Sequence, residues 1–233
     1  MFGRSTCVNM ENILRAKGVR DSMKGDKLLI EPHHTARAEE CCDLLEERIG
    51  GRYSISIAGE SGSGKSELAF EVARLLTERG HKAGVLGQDD YFMFPPKTNH
   101  EMRRKNIEQV GPYEVKLDFL DSNLRSFKRN ESPIFKPLVI YDEDRITHEE
   151  IGVSGLKVII AEGTYTSLLQ FIDFRIFIDK DYHQTLENRK RRARDTFEPF
   201  VEDVLEREHV IISAHKEMAD AVIPPDFASV IMA

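Results

Sequence analysis

The stretch Gly59-Glu60-Ser61-Gly62-Ser63-Gly64-Lys65-Ser66 decides how the rest of the chain is interpreted, because its spacing is G-x-x-x-x-G-K-S. An alternating apolar run over residues 54–58 comes directly before it, and a helical pattern begins near Lys65. Glycines let the backbone turn tightly and direct successive N–H groups at one anion, and the following helix adds its positive N-terminal end. The stretch therefore predicts a loop that binds the phosphates of a nucleotide.

Two side chains of this loop have specific expected roles. Lys65 should reach the β- and γ-phosphates, and the Ser66 hydroxyl should be a ligand of the accompanying Mg²⁺, which takes few protein oxygens. A second Mg²⁺-facing oxygen is expected from Glu162, because it ends the continuous apolar run 158–161, which is typical of a buried parallel strand. Contacts to the cofactor phosphates are expected from the whole loop: Gly59, Glu60, Ser61, Gly62, Ser63, Gly64, Lys65 and Ser66.

Length and composition limit the class of protein. With 233 residues of which 40% are hydrophobic, the chain can bury a core as one large domain or as a core domain with an extension. A net charge of -7 argues against a nucleic-acid partner. No apolar run approaches the roughly 20 residues that span a bilayer, and no apolar segment follows the polar start, so we expect a cytoplasmic protein with no membrane partner. Three cysteines, Cys7, Cys41 and Cys42, predict neither a disulfide framework nor a metal site.

We divide the chain at residue 50. Residues 1–50 are expected to form an N-terminal extension with one helix packed on the core, and residues 51–233 to form the nucleotide-binding domain. Within the extension, residues 27–31 predict a short strand, and Thr35 is expected to cap a helix that runs to about Ile49. Cys41 and Cys42 lie on the apolar face of that helix, which indicates small core residues.

The strand, loop, helix and second strand over residues 53–87 predict a right-handed βαβ unit with ligands at the carboxyl ends of its strands. Gln88, Asp89 and Asp90 follow such an end. Residues 92–112 predict a long loop, a candidate lid or substrate loop. Its basic trio, Arg103, Arg104 and Lys105, either faces solvent or binds an anionic substrate. Residues 138–141 and 145–151 predict a small hairpin outside the main sheet.

Together these motifs resemble the uridine kinase and phosphoribulokinase group of P-loop kinases over residues 53–224. The resemblance rests on the phosphate loop and on five further strings: Gln88-Asp89-Asp90-Tyr91-Phe92, Val139-Ile140-Tyr141-Asp142, Ile159-Ile160-Ala161-Glu162-Gly163, Ile178-Asp179 before an arginine-rich segment, and Ala219-Asp220-Ala221-Val222-Ile223-Pro224. It implies an α/β P-loop NTPase fold with a five-stranded parallel sheet, helices on both faces, and hairpin and lid excursions.

The resemblance also implies an enzyme that uses ATP and Mg²⁺ and transfers the γ-phosphate to a hydroxyl of a small molecule. Asp89 would be the base that takes the proton from that hydroxyl. Arg191 and Arg194 align with lid arginines that embrace the phosphates. Further contacts to the acceptor substrate are expected from Tyr91, Tyr141 and Asp142.

The chain departs from the uridine kinases at two places. After the position of Asp142 those enzymes carry an aromatic residue and a histidine that hold the pyrimidine, whereas Glu143-Asp144-Arg145-Ile146 stands here. An Arg-Gly-Arg-like string expected after Asp195 is replaced by Phe197-Glu198-Pro199. A nucleoside acceptor is favoured, and three alternatives stay open: a kinase of a sugar phosphate or other anionic metabolite, a nucleotide-binding regulatory ATPase, and a weak relative that binds nucleotide as a structural module.

Overall fold

The phosphate-loop motif lies at the carboxyl edge of a parallel sheet in the computed structural model, which describes residues 28–192 and 198–233. The strands are β1 Tyr53–Gly59, β2 Ala83–Gly87, β3 Ile134–Ile140, β4 Arg145–Ile151, β5 Val158–Glu162, β6 Phe174–Ile178, β7 Ala221–Ile223 and β8 Ile231–Met232. The α-helices are α1 Pro32–Glu46, α2 Lys65–Glu78, α3 Pro96–Lys105, α4 Leu117–Lys128, α5 Leu186–Arg192 and α6 Pro199–Ile212.

The central sheet has the strand order β2-β5-β1-β6-β7-β8. Its first five strands are parallel, which confirms the expected five-stranded core, and β8 adds a short antiparallel edge beside β7. In the register of this sheet, Glu162 is the partner of both Ile57 and Gly87. The phosphate loop after β1, the carboxylate that ends β5 and the turn after β2 therefore emerge at one edge.

Helices cover both faces of the sheet. On one face α1 and α2 pack together over β1, β5 and β6, and on the other face α4 and α6 contribute to a second apolar cluster. Cys41 and Cys42 are fully buried in the first cluster, as expected, and burial raises the pKa of the Cys42 thiol to about 12. Within the described parts of the chain, no helix is both long and apolar enough to cross a bilayer.

The start of α1 differs from the prediction. Residues 28–30 form no strand, and the helix begins at Pro32 rather than after Thr35. Glu31 is the N-cap, and its backbone N–H donates to His34 Nδ1 over 3.0 Å. Proline suits the first helical turn because the N–H that it lacks would have no helical partner there. The predicted boundary at residue 50 stays a prediction, although α1 packs in the same core as the rest of the chain.

The predicted loop over residues 92–112 is largely helical, because it contains α3. Asp144, at the tip of the β3–β4 hairpin, accepts hydrogen bonds from the backbone N–H groups of Lys97 and Thr98 and so caps this helix. The cap comes from a residue about fifty positions away in sequence, so local patterns carry no sign of it.

The hairpin is confirmed, with a first strand that begins at Ile134 instead of residue 138. It is fastened to the turn after β2 by a buried ion pair. Lys136 Nζ lies 2.5 Å from Asp90 Oδ2 and 3.1 Å from Glu149 Oε1, and Val139 N–H donates to Asp90 Oδ1 over 2.9 Å. Asp90 is only 1% exposed, so its charge depends on Lys136 for compensation.

We predict that Lys136→Met lowers the free energy of unfolding by about 3–5 kcal/mol, because it leaves the Asp90 carboxylate buried without an opposite charge. Urea denaturation of the wild type and the variant measures this. The double variant Asp90→Asn/Lys136→Met should be more stable than Lys136→Met alone, since the amide has no charge to compensate. Simple addition of the two single effects would contradict the pairing.

Candidate functional site

The phosphate loop has a backbone conformation that requires glycine at two positions. Gly62 has φ 76° and Gly64 has φ 100°, both in the left-handed region. A side chain would also collide at each: a Cβ on Gly62 would lie 2.7 Å from Arg189 Cγ, and a Cβ on Gly64 would lie 2.9 Å from His34 Nε2. The loop is therefore held between α5 and the first turn of α1.

The structure brings the two expected Mg²⁺ ligands together. Ser66 lies in the first turn of α2, and its hydroxyl donates to Glu162 Oε2 over 3.2 Å. Hard oxygen donors at this spacing fit Mg²⁺, which takes one or two protein oxygens beside phosphate and water. Lys65 is buried and donates from Nζ to the Glu60 carbonyl over 2.7 Å, so its ammonium lies across the loop. The roles of these three side chains stay predictions.

Glu60 contacts a partner outside the loop with its side chain. Its Oε1 lies 2.6 Å from His209 Nδ1 on α6, and burial raises the pKa of its carboxyl while His209 opposes that shift. Any contact of Glu60 with a nucleotide phosphate would therefore come from its backbone N–H. The carboxylate instead connects the phosphate loop to α6.

The two acids after β2 differ in exposure. Asp90 is buried against Lys136, and burial raises the pKa of its carboxyl although Lys136 opposes the shift. Asp89 is half-buried in the same 3-10 turn, Gln88–Tyr91. Of the two, Asp89 is thus the one that a substrate can reach, and its role as the base stays a prediction.

The expectation that Tyr91 contacts the acceptor substrate is wrong, because its side chain lies in the core. Its ring is 0% exposed and packs edge-on against Phe119, and its hydroxyl accepts a hydrogen bond from Asn123 Nδ2 over 2.8 Å. Burial raises the pKa of this hydroxyl. Tyr91 is a core residue because its side chain points into the cluster beneath the sheet. Tyr141 and Asp142 lie at the hairpin tip, half-buried and exposed respectively, where an acceptor can reach them.

The three residues of the basic trio have different surroundings and different partners. Arg103 contacts both oxygens of Glu114, with Nε 2.5 Å from Oε2 and Nη2 2.9 Å from Oε1, and its Nη2 also lies 2.9 Å from Glu208 Oε1. Burial works against the charge of Arg103, but the two glutamates outweigh it and raise its pKa. Arg104 pairs with Glu198, and Lys105 is exposed. The trio is thus not a free anion-binding cluster, as the sequence alone allowed, because two carboxylates neutralise Arg103.

This network also reaches the phosphate loop. Burial raises the pKa of Glu208, and Lys65 is among the cations that oppose that rise, so α6 places this carboxylate within electrostatic reach of the loop lysine. Sequence analysis missed Glu208, since a single glutamate on an amphipathic helix carries no signal of its own.

The expected lid arginines lie at and beyond the end of α5. Arg191 Nη1 lies 2.9 Å from Glu31 Oε1, at the N-cap of α1, and about half of the Arg191 side chain is exposed. Arg194 lies outside the described residues. Arg191 therefore lies beside the phosphate loop, where it contacts Glu31 at the start of α1.

Comparisons with known proteins agree with this geometry. The model of the phosphoribulokinase / uridine kinase family matches residues 54–229. A uridine kinase of Leuconostoc citreum is 28% identical over 183 residues, which cover 73% of this chain and 86% of that protein. The bifunctional alpha-galactosidase/sucrose kinase AgaSK of Mediterraneibacter gnavus is 28% identical over 204 residues, which cover 82% of this chain but only 22% of that larger protein.

A solved structure shares the fold. A possible uridine kinase from Bacillus stearothermophilus superposes with a TM-score of 0.56 at 22% identity, covering 80% of this chain and 97% of that one. The family match includes the phosphate loop, Asp89 and Glu162. The chain therefore belongs to the phosphoribulokinase / uridine kinase family and is a kinase, an enzyme that transfers phosphate to a hydroxyl group.

Proposed function

We propose that this kinase uses ATP with Mg²⁺ and phosphorylates a hydroxyl of an uncharged, hydroxyl-rich small molecule, with a nucleoside as the favoured acceptor. The observation that carries the choice of acceptor is the neutralisation of Arg103 by Glu114 and Glu208. A cytoplasmic location and the absence of nucleic-acid and membrane partners remain expectations from composition.

The nucleotide phosphates would bind the glycine-rich loop, with Lys65 as the fixed positive charge on the terminal phosphates. Ser66 and Glu162 would hold Mg²⁺, and the bound ion would add positive charge beside the transferring group. These oxygens lie side by side at the edge where the loop emerges. Catalysis of phosphoryl transfer is mostly positioning and charge neutralisation, which this arrangement supports.

The acceptor would bind on the β2 side of the loop. Strand β5 separates β2 from β1, so the turn that carries Asp89 lies beyond Glu162 as seen from the phosphate loop. An acceptor hydroxyl between Asp89 and the terminal phosphate would lose its proton to the Asp89 carboxylate.

The charge of this region favours a neutral acceptor over a sugar phosphate. Asp89 and Asp142 contribute carboxylates, and the carboxylates of Glu114 and Glu208 neutralise the charge of Arg103. Carboxylates accept hydrogen bonds from paired hydroxyls but repel a phosphate group. A ribose or another sugar without phosphate therefore fits better than an anionic metabolite.

An unphosphorylated sugar is the second candidate. Glu143, Asp144, Arg145 and Ile146 stand where uridine kinases hold the pyrimidine, and Asp144 is engaged in capping α3. The relative from Mediterraneibacter gnavus is named a sucrose kinase. The nucleoside remains the first candidate because other relatives found in the same comparison are named uridine kinases.

We predict that Lys65→Met lowers turnover by at least about 10²-fold, because it removes the fixed charge on the terminal phosphates. The fold should lose only about 1 kcal/mol, from the lost hydrogen bond to the Glu60 carbonyl. Coupled ADP release and thermal unfolding measure the two quantities. Wild-type turnover in this variant would remove Lys65 from the site.

Asp89→Asn should lower turnover by about 10²- to 10⁴-fold with nearly unchanged ATP affinity, because an amide does not accept a proton at neutral pH. Asp90→Asn is the matched comparison: it should lower stability and leave the turnover of the folded enzyme close to wild type. If Asp90→Asn damaged turnover more than Asp89→Asn, the base would be Asp90.

A panel of acceptors should give a clear preference for uncharged hydroxyl compounds. Uridine, cytidine, sucrose and fructose are compared with ribulose 5-phosphate and glycerate under identical ATP and Mg²⁺. A polar site rejects an analogue that leaves its groups unpaired by as much as about 10⁴-fold, so one class should dominate. A preference for an anionic acceptor that Arg103→Ala abolishes would contradict the proposal.

A further inference from the structure

A shallow groove lies beside the phosphate loop and includes Gly62 and Gly64 in its lining. One wall comes from Leu29, Glu31 and His34, and the opposite wall from Asn188 and Arg191 on α5. The first wall precedes the residues that match the family model, which begin at 54.

That first wall is fastened to the helix that follows the phosphate loop. Leu29 N–H donates to Glu67 Oε1 on α2 over 3.3 Å, and the Thr35 hydroxyl donates to Glu71 Oε2 over 2.8 Å. Both acceptors are buried glutamates in the first two turns of α2. The segment before α1 and the first turn of α1 are therefore positioned by α2, the helix that begins at Lys65.

The wall also touches the loop itself. The ring of His34 is buried, and its Nε2 lies where a Cβ on Gly64 would come within 2.9 Å. On the other wall, Asn188 Nδ2 donates to the Gly62 carbonyl over 3.1 Å. The backbone expected to bind phosphates thus forms the floor between the two walls.

Glu31 and Arg191 meet across the groove, with Nη1 2.9 Å from Oε1. Partial burial alone would raise the pKa of Glu31, but Arg191 and the neighbouring histidines outweigh it and lower the pKa, so the carboxylate is ionised. An ionised carboxylate accepts hydrogen bonds from paired ribose hydroxyls, and a guanidinium stacks on an aromatic base. Leu29 adds an apolar surface beside them.

Sheet order decides which nucleoside this groove suits. The phosphate loop follows β1, which lies between β5 and β6. Asp89 follows β2 on one side, whereas α5 follows β6 on the other side. Parallel strands lie about 4.8 Å apart, so Asp89 and the groove are on opposite sides of the loop. The groove therefore suits the nucleoside of the phosphate donor and not the acceptor.

We infer that residues 29–34, which precede the family domain, form one wall of the binding site for the nucleoside part of the donor nucleotide, with Glu31 as its ribose-contacting group. This inference rests on the proposed use of ATP. It assigns a substrate-binding role to residues 29–31 and to the first turn of α1, which the resemblance to uridine kinases does not cover.

Calorimetric titration with two probes, ADP and inorganic pyrophosphate, each with Mg²⁺, separates contacts to the nucleoside from contacts to phosphate. Glu31→Gln should weaken ADP binding about tenfold, the effect of losing one charge-assisted hydrogen bond, without weakening pyrophosphate binding. Leu29→Ala, which keeps the carboxylate, should also weaken ADP selectively. Glu39→Gln, an exposed site on α1, is the matched control and should leave both affinities unchanged.

Three results would overturn the inference. Unchanged ADP affinity in both Glu31→Gln and Leu29→Ala would place the nucleoside elsewhere. Tighter ADP binding by Glu31→Gln would show that Glu31 competes with the nucleotide for Arg191. A wild-type protein that binds pyrophosphate but not ADP would overturn the proposed use of ATP, and this inference with it.

Discussion

The register of the central sheet is the constraint on which the site depends. Because Glu162 is level with Ile57 and Gly87, three chain segments leave the sheet at the same edge: the phosphate loop, the end of β5 and the turn that carries Asp89. A shift of one residue in β5 would turn Glu162 to the opposite face of the sheet and separate it from Ser66. The hydrogen bond between Ser66 and Glu162 is the direct consequence of this register.

Much of this arrangement could be predicted from sequence because its signals are local. The glycine spacing of the loop, the continuous apolar run that ends at Glu162 and the helical spacing of Cys41 and Cys42 each lie within a few residues. Parallel topology then brings strand ends together without further information. The loop and the hairpin followed from these patterns, whereas the count of five parallel strands was implied by the family resemblance that the motifs carry.

The features that sequence could not predict depend on partners that are distant in the chain. Arg103 lies 105 residues from Glu208, and its bond to that carboxylate turned an apparent basic cluster into a neutralised network. Tyr91 belongs to a string that resembles a substrate site, but its hydroxyl finds Asn123 in the core. Helix α3 owes its cap to Asp144. None of these contacts leaves a periodic or compositional trace in the segment that it stabilises.

We propose that phosphate moves from ATP to a hydroxyl of an uncharged acceptor, which binds at the acid-rich edge near Asp89. The most direct test incubates the enzyme with Mg²⁺, ATP and the preferred acceptor of the panel, and quantifies ADP, free phosphate and phosphorylated acceptor by mass spectrometry and phosphorus NMR. We predict equal amounts of ADP and a phosphate monoester of the acceptor. Equal amounts of ADP and free phosphate, with no phosphorylated acceptor, would contradict the claim.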